Sequence, residues 1–306
     1  MIYPNLGGWL SWSFNDKPYG LRTNKDDVYK IHVDTSKIVG TTKSYKEELY
    51  DTARIMRDYY TGTFDVLLSG GIDSEIVVRT FKDLNISHNT YIFKFENNIN
   101  YKDVSSAIEI ATCLNIPYTV IDFNLAKFYK DDAYELFQKS RCIRAGRLPH
   151  LRFCELIDNI PVMGDSEPYW WRVLQSDYSQ PSEWIFPLNE SNHNASMYMQ
   201  SIGKVNICDW YEFNPNLIKA FNNLPLIQNL IHDRIPGKAS CWTSRIPVHA
   251  EIWPDIKPKQ KLTGYEGDAV PGVYPEYITE LQEVMTNQIG DGNEYWFTYN
   301  RLCELF

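Results

Sequence analysis

The segment Phe64–Ser74, FDVLLSGGIDS, restricts the fold of this chain more than any other part of the sequence. Five residues typical of a buried strand run directly into a turn that contains two glycines and two serines. A helical pattern follows, with one face formed by Ile76, Val77, Thr80, Phe81 and Leu84. Glycines let backbone amides approach an anion closely, and the helix N-terminus adds the positive end of its dipole. This strand–turn–helix unit therefore predicts a phosphate-binding loop in an α/β fold.

The side chains of the turn sharpen this prediction. The hydroxyl groups of Ser69 and Ser74 can donate hydrogen bonds to a phosphate. Asp73 differs from the two serines in its charge. A carboxylate repels a phosphate unless a metal cation lies between the two groups. We therefore expect Asp73 to hold a divalent cation, Mg²⁺, against bound phosphate groups.

The turn Ser-Gly-Gly-Ile-Asp-Ser resembles the PP-loop of the ATP pyrophosphatases, which show SGGxDS at this point. That group includes asparagine synthetase, NAD and GMP synthetases, argininosuccinate synthetase and several tRNA-modifying enzymes. The resemblance implies that ATP is split between its α- and β-phosphates and that AMP joins the substrate. It also implies an open parallel sheet with helices on both faces, the adenine-nucleotide α-hydrolase-like fold. The ATP-binding residues that it implies are Ser69, Gly70, Gly71, Ile72, Asp73, Ser74 and Gly164.

Composition limits the classes of partner. The chain has 306 residues and a net charge of −9, which disfavours a nucleic-acid partner without excluding a local basic groove. Six cysteines show no CxxC spacing, which fits a reducing compartment and disfavours a structural zinc site. Residues 1–5 lack the basic and apolar regions of a signal peptide, and no apolar run approaches the roughly 20 residues of a membrane span. We expect a cytoplasmic protein with no membrane partner.

The pattern of elements divides the chain at about residue 43. Residues 1–43 are predicted to be a β-rich N-terminal extension, with strands over Leu10–Phe14 and Val28–Val33. Residues 44–60 are predicted to be helical, with a capping box formed by Ser44 and Glu47. From Thr63 onward strands alternate with helices, which predicts a parallel sheet inside a domain over 44–306. Beyond about residue 172 periodicity weakens, so this part is expected to be irregular and rich in aromatic residues.

A second group of polar residues follows the predicted strand over Ile160–Met163. In open α/β sheets ligands bind at the carboxyl ends of strands, where strand order reverses. The resemblance implies that this strand lies beside the strand before Ser69. Asparagine synthetase and its β-lactam-forming relative have a G-x-D-E-like acidic turn here, whereas this chain has Gly-Asp-Ser-Glu-Pro. A second carboxylate, from either Asp165 or Glu167, would complete a Mg²⁺ clamp with Asp73.

A third group loosely resembles the C-terminal part of the asparagine synthetase domain. There a strand of the type R-x-P-F-L-D leads to a lysine that contacts phosphate and the activated acyl group. Here Ser244–His249 would be that strand, and Lys259 and Lys261 are the candidates for the catalytic lysine, beside Asp73. A fixed ammonium there would stabilise charge that builds during adenylation. The spacing does not choose between the two lysines.

Basic residues also cluster just before the acidic turn, at Lys139, Arg141, Arg144, Arg147 and Arg152. Arginine forks suit phosphate or carboxylate recognition. The chain has 39 acidic residues, so we expect most of the cluster to pair with surface acids. One or two members are expected to face the substrate or the triphosphate.

These features predict an AMP-forming ATP-dependent ligase that uses ATP and Mg²⁺. Its partners would be a small-molecule acyl substrate, adenylated on a carboxylate or amide oxygen, and an amine or ammonia. The resemblance to asparagine synthetase covers roughly residues 45–265 with gaps. This chain lacks one feature of that enzyme, the cysteine of its glutaminase half. The glutaminase half of that enzyme needs an N-terminal cysteine, but Met1 is followed by Ile2 and the first cysteine is Cys113. Residues 1–43 are therefore expected to be a reduced counterpart without that chemistry.

Two alternatives remain open at this stage. The first is an ATP-dependent tRNA or nucleobase modification enzyme, which the acidic balance and the lack of paired cysteines disfavour. The second is a non-catalytic nucleotide-binding protein, which the intact Ser69, Asp73 and Ser74 disfavour. The acyl substrate, the nucleophile and the oligomeric state are left open.

Overall fold

A small antiparallel sheet stands near the N-terminal end of the chain. It has the order β2–β1–β3, with β1 at Leu10–Phe14, β2 at Lys17–Pro18 and β3 at Tyr29–Val33. The predicted strands are confirmed, and Lys17 and Pro18 pair with the end of β1. The computed structural model describes residues 7–38, 43–165, 168, 171–173, 183–232, 245–257, 275–293 and 295–305.

The first helix, α1, covers Tyr45–Tyr59 and begins as predicted. The Ser44 hydroxyl accepts from the Glu47 backbone N–H at 3.3 Å, and the Ser44 N–H donates to the Glu47 carboxylate at 3.0 Å. This capping box satisfies two helix-end donors and contributes about 1 kcal/mol. The buried face of α1 then packs onto the core through Tyr45, Leu49, Thr52, Ala53 and Met56.

A four-stranded parallel sheet forms the centre of the molecule. Its strands are β4 (Phe64–Leu67), β5 (His88–Phe95), β6 (Thr119–Phe123) and β7 (Ile160–Val162). The order is β6–β5–β4–β7, and every neighbouring pair is parallel. The connecting helices are α2 (Ile72–Asp83), α3 (Tyr101–Cys113), α4 (Leu125–Lys127), α5 (Ala133–Ser140) and α6 (Leu148–Leu156), with a π-helical turn between α4 and α5.

The sheet is covered on both faces, because successive side chains of its strands enter different cores. Ile92 packs in a cluster with α1, α2 and α3, whereas Phe93 packs in a second cluster with α5 and α6. Val66 belongs to the first cluster, and Leu67 packs against the second. The predicted fold class, an open parallel sheet with helices on both faces and a small β-rich N-terminal extension, is confirmed.

The direction of strand addition reverses at β4. The chain adds β5 and then β6 on one side of β4, and β7 returns to the other side, with Val66 opposite Val162. The segment around Ile207 continues the sheet beyond β7, since its N–H donates to the Pro161 carbonyl at 2.8 Å. Met163 N–H donates back to the Ile207 carbonyl at 3.0 Å. The β4–β7 boundary is therefore the point at which ligands bind in open α/β sheets.

The C-terminal part contains more helix than its sequence pattern indicates. The elements after β7 are β8 (Trp171–Val173), β9 (Glu183–Pro187), α7 (Glu190–Ser201), α8 (Pro215–Asn222), α9 (Pro225–His232), α10 (Arg245–Ile252), α11 (Pro275–Ile289), β10 (Trp296–Thr298) and α12 (Tyr299–Leu305). Strands β8, β9 and β10 form an antiparallel sheet. No helix in the described part of the chain is long and apolar enough to cross a membrane.

Two of these helices differ from the sequence-based expectation for physical reasons. Most residues of α7 are buried, so it has no polar stripe and lacks the periodicity of an amphipathic helix. The strand expected over Ser244–His249 was wrong, because the described part of this segment begins α10. Pro247 is the third residue of that helix, where its missing N–H costs no helical hydrogen bond.

Buried polar contacts join the N-terminal sheet to α7. Arg22 and Glu190 form an ion pair at 2.6 Å whose side chains are both 1% exposed. Next to this pair, Tyr29 Oη lies 2.6 Å from His193 Nδ1, and His193 Nε2 lies 2.7 Å from the Glu212 carboxylate. Burial lowers the pKa of His193, but the carboxylates of Glu212 and Asp209 outweigh burial and raise it to about 9. The N-terminal extension is therefore part of the same buried structure as α7.

The charge on His193 predicts a pH dependence of stability. The pKa is about 9 in the folded protein against 6.5 for an ordinary histidine, so its contribution is complete below pH 6.5. It is lost as the pH rises to about 9. The difference in unfolding free energy between the wild type and His193→Gln should shrink by roughly 3 kcal/mol over this range. Urea unfolding of both proteins at several pH values measures this difference. A difference independent of pH would contradict the raised pKa of His193.

Candidate functional site

Two loops meet at the carboxyl ends of β4 and β7. The first is Ser69–Ser74, which enters α2, and the second begins at Gly164. They are neighbours because β4 and β7 pair directly, as the family resemblance implied. The loop after β4 thus lies at the reversal point of the sheet, as the resemblance implied.

The first loop is held in shape by its own two serines. The Ser74 hydroxyl accepts from the Ser69 backbone N–H at 3.2 Å and donates to the Gly71 carbonyl at 3.1 Å. The Ser69 hydroxyl lies 3.1 Å from that of Ser74 and accepts from the Gly71 N–H at 3.3 Å. Ser74 is buried, whereas Ser69 is exposed. Ser74 therefore shapes the loop from inside, and Ser69 presents its hydroxyl at the surface of the site.

Glycines are required at two positions of this site. Gly70 has a φ of +78°, a left-handed conformation that favours glycine, and a Cβ there would overlap the Asp103 carbonyl of α3. A Cβ on Gly164 would lie 2.6 Å from the Asp73 carbonyl carbon and 2.7 Å from the Ser74 nitrogen. The backbone of the second loop thus packs directly onto the first turn of α2.

The N-terminus of α2 faces this site without a side-chain cap. Its N-cap residue is Gly71, which has no side chain to accept from the first N–H groups of the helix. Such uncapped N–H groups and the helix dipole together favour an anion. The local conformation therefore supports the phosphate-loop interpretation of the sequence.

The two acids in the first turn of α2 have different surroundings. Glu75 is buried and forms an ion pair with Arg79 at 2.8 Å, and Arg79 also binds Asp255 at 2.9 Å. The negative charge of Glu75 is therefore balanced by Arg79 inside the protein. Asp73 is half-buried at the loop itself. The surroundings favour Asp73 over Glu75 as the acid that meets a ligand.

The second loop supplies one described acid. Asp165 accepts from Arg147 at 3.0 Å, and both side chains are about one quarter exposed, at 29% and 25%. Arg147 is thus a member of the basic cluster that contacts an acid of the second loop. Lys139 and Arg152 instead pair with Glu135 and Glu155 of their own helices, as most of the cluster was expected to do.

Three predicted site residues lie outside the described part of the chain: Glu167, Lys259 and Lys261. The choice between Asp165 and Glu167, and the choice between the two lysines, therefore stay predictions. In the ranges that are described, no group of three or more His, Cys, Asp or Glu side chains could hold a metal alone. Mg²⁺ needs only one or two carboxylates when phosphate oxygens complete its shell, so Asp73 and Asp165 fit that donor set.

One residue of the site escaped the sequence analysis. Tyr211 donates from its hydroxyl to the Asp73 carbonyl at 3.1 Å, although the two residues are 138 positions apart. Asp209, two residues earlier, forms an antiparallel bridge with Gly164. No local pattern marks Tyr211, since its partner is a backbone carbonyl and its neighbourhood depends on the sheet order.

Comparisons with known proteins find solved structures of low similarity, among them two synthetases. No protein-family model matches the chain, and no curated protein matches it. An NMN synthetase from Francisella tularensis is 24% identical, with 40% of this chain and 53% of that chain covered and a TM-score of 0.27. An NH3-dependent NAD synthetase from Campylobacter jejuni subsp. jejuni, in complex with the nitrate ion, is 14% identical. The match covers 83% of this chain and 94% of that chain, with a TM-score of 0.32.

The match to the NMN synthetase spans about half the length of that protein. Both TM-scores are low, so the fold is assigned from the strand order and pairing described above.

The close contact at Gly164 predicts that the site does not tolerate a methyl group there. Gly164→Ala should displace the first turn of α2, cost about 1–3 kcal/mol of unfolding free energy and weaken binding of inorganic pyrophosphate. Gly20→Ala is the matched control, because a Cβ on Gly20 meets its nearest atom at an ordinary 3.7 Å. Urea unfolding and calorimetric titration measure both effects. Equal behaviour of the two variants would show that the contact is unimportant.

Proposed function

We propose that this chain is an AMP-forming ATP-dependent ligase that joins a small acyl substrate to an amine or ammonia. The observation that supports it most is the position of the uncapped Ser69–Ser74 loop, beside Gly164 and Asp165 at the reversal point of the sheet. This arrangement can bind the phosphate groups of ATP between two neighbouring strand ends. The sequence Ser-Gly-Gly-Ile-Asp-Ser specifies the class of phosphate chemistry by its resemblance to the PP-loop.

The roles of the described residues follow from their surroundings. The N–H groups at the start of α2 and the Ser69 hydroxyl would bind the β- and γ-phosphates, which depart together as pyrophosphate. Asp73 and Asp165 would hold Mg²⁺, which neutralises phosphate charge when it is bound. Arg147, the ion-pair partner of Asp165, would place a second cation near the phosphate chain.

The reaction would proceed in two steps. A carboxylate or amide oxygen of the substrate attacks the α-phosphorus, and the bond from that phosphorus to the bridging oxygen breaks with release of pyrophosphate. The amine nitrogen then attacks the activated carbon, AMP leaves with the C–O bond electrons, and the nitrogen loses a proton. Lys259 or Lys261 would stabilise the charge on the α-phosphate in the first step. In this proposal the chemistry is of the asparagine synthetase type, on a carboxylate or amide oxygen of a small molecule.

The first step is reversible, so exchange of labelled pyrophosphate into ATP tests the proposal. With a panel of small carboxylic acids we expect exchange that requires Mg²⁺ and one acid. Asp73→Asn should lower its rate at least about a hundredfold, because a carboxylate ligand of the metal contributes several kcal/mol to such chemistry. Asp131→Asn is the control, since it removes the same charge from an exposed site in the π-helical turn.

The pattern of exchange separates the competing functions. Exchange that needs a small acid supports the ligase, whereas exchange only in the presence of tRNA supports a modification enzyme. Binding of ATP without exchange under any condition would reject the ligase in favour of a non-catalytic nucleotide-binding protein. Equal rates for Asp73→Asn and Asp131→Asn would reject the role of Asp73.

A further inference from the structure

The peptide group of Asp73 is held from two sides by residues far away in the sequence. Tyr211, which is fully buried, donates to the Asp73 carbonyl at 3.1 Å. The backbone of Gly164 packs against the same carbonyl group and the next nitrogen. This carbonyl lies in the first turn of α2. Anything that moves Tyr211 therefore acts on the start of the phosphate loop helix.

Tyr211 belongs to a short segment that we name the bracing segment, residues 209–213. It contains a single 3-10 turn, Trp210–Glu212. Its first residue, Asp209, pairs with Gly164 and accepts from the Ser196 hydroxyl of α7. The bracing segment is thus fixed at one end to the second loop of the site and to a buried helix.

The other end of the bracing segment is held by the N-terminal extension. Trp9 donates from its indole N–H to the Glu212 carbonyl at 2.6 Å. Gly7 approaches the Phe213 backbone so closely that a Cβ there would overlap the Phe213 carbonyl. The Glu212 carboxylate binds His193, whose other ring nitrogen meets Tyr29 of β3. Contacts from the extension therefore determine the position of the residues beside Tyr211.

We infer that Tyr211 is a positioning residue for the Ser69–Ser74 loop and that the N-terminal extension sets its position through the bracing segment. The extension then has a positioning role at the site. The expected functional effect rests on the proposed function, because it concerns the placement of Asp73 for Mg²⁺ and ATP. The structural effect on the loop does not rest on it.

Tyr211→Phe tests the positioning role, since it removes the hydroxyl and keeps the ring. Losing one hydrogen bond should raise amide hydrogen exchange in the peptide over residues 72–80 about fivefold. Exchange in α5, which lies in the other core, serves as the internal reference for global opening. Tyr198→Phe is the matched control, because Tyr198 is equally buried and donates to Glu155 instead. No rise in Tyr211→Phe, or an equal rise in α5, overturns the inference.

Trp9→Phe tests the part played by the extension. The change removes the hydrogen bond to Glu212. It should raise amide hydrogen exchange over residues 72–80 about fivefold relative to α5, as expected for Tyr211→Phe. Trp12→Phe is its control, because Trp12 is as buried as Trp9 but donates to the Gly20 carbonyl at 3.0 Å. If Trp9→Phe leaves amide hydrogen exchange over residues 72–80 unchanged, the extension does not act on the loop. Equal exchange in Trp9→Phe and Trp12→Phe would lead to the same conclusion.

A functional readout distinguishes this inference from the proposed function. In the pyrophosphate-exchange assay Tyr211→Phe should raise the Mg²⁺ concentration for half-maximal rate about fivefold, whereas Tyr198→Phe should not. If the wild type shows no exchange, the proposed function fails, and the hydrogen-exchange result still decides the role of Tyr211. If the wild type is active and the Mg²⁺ requirement of Tyr211→Phe is unchanged, the positioning role is rejected even where exchange in the loop rises.

Discussion

The pairing of β4 with β7 is the contact on which the candidate site depends. The two strands are 93 or more residues apart in the chain, counting from Leu67 to Ile160, yet Val66 lies directly opposite Val162. A shift of this register by one residue would turn every side chain of β7 to the other face of the sheet. It would also move Gly164 away from the Asp73 peptide, which it contacts so closely that no side chain fits. Burial of the two strands and the shape of the site are thus fixed by the same hydrogen bonds.

The electrostatics around α2 then separate acids that are similar in sequence. Asp73 and Glu75 both lie in the first turn, where the helix dipole favours negative charge. Arg79 pairs with the buried Glu75, whereas Asp73 is half-buried at the loop and Asp165 pairs with Arg147. Like charges disfavour each other's ionised form, and the Arg147 guanidinium offsets the charge of Asp165 in the structure.

Several features that the sequence pattern predicted have local causes, whereas the non-local adjacency of β4 and β7 was implied only by the family resemblance. The capping box of α1 needs only Ser44 and Glu47, and the loop Ser69–Ser74 is shaped by hydrogen bonds among its own residues. The features that it did not predict depend on distant partners or on complete burial. Helix α7 lacks amphipathic periodicity because it is buried on most sides, and Tyr211 has no signal because its acceptor is the Asp73 carbonyl.

The buried polar groups of the N-terminal extension are consistent with a requirement for exact placement. Replacing a buried ion pair by apolar residues is often neutral or stabilising, so the Arg22–Glu190 pair is weak evidence for stability alone. Its hydrogen bonds, however, have directions, and an apolar contact would let the extension slide against α7. A misplaced Trp9 would leave the Glu212 carbonyl without its donor and release the bracing segment. Directional contacts between the extension and the bracing segment, together with the Tyr211 hydroxyl, can therefore hold the start of α2 in one position.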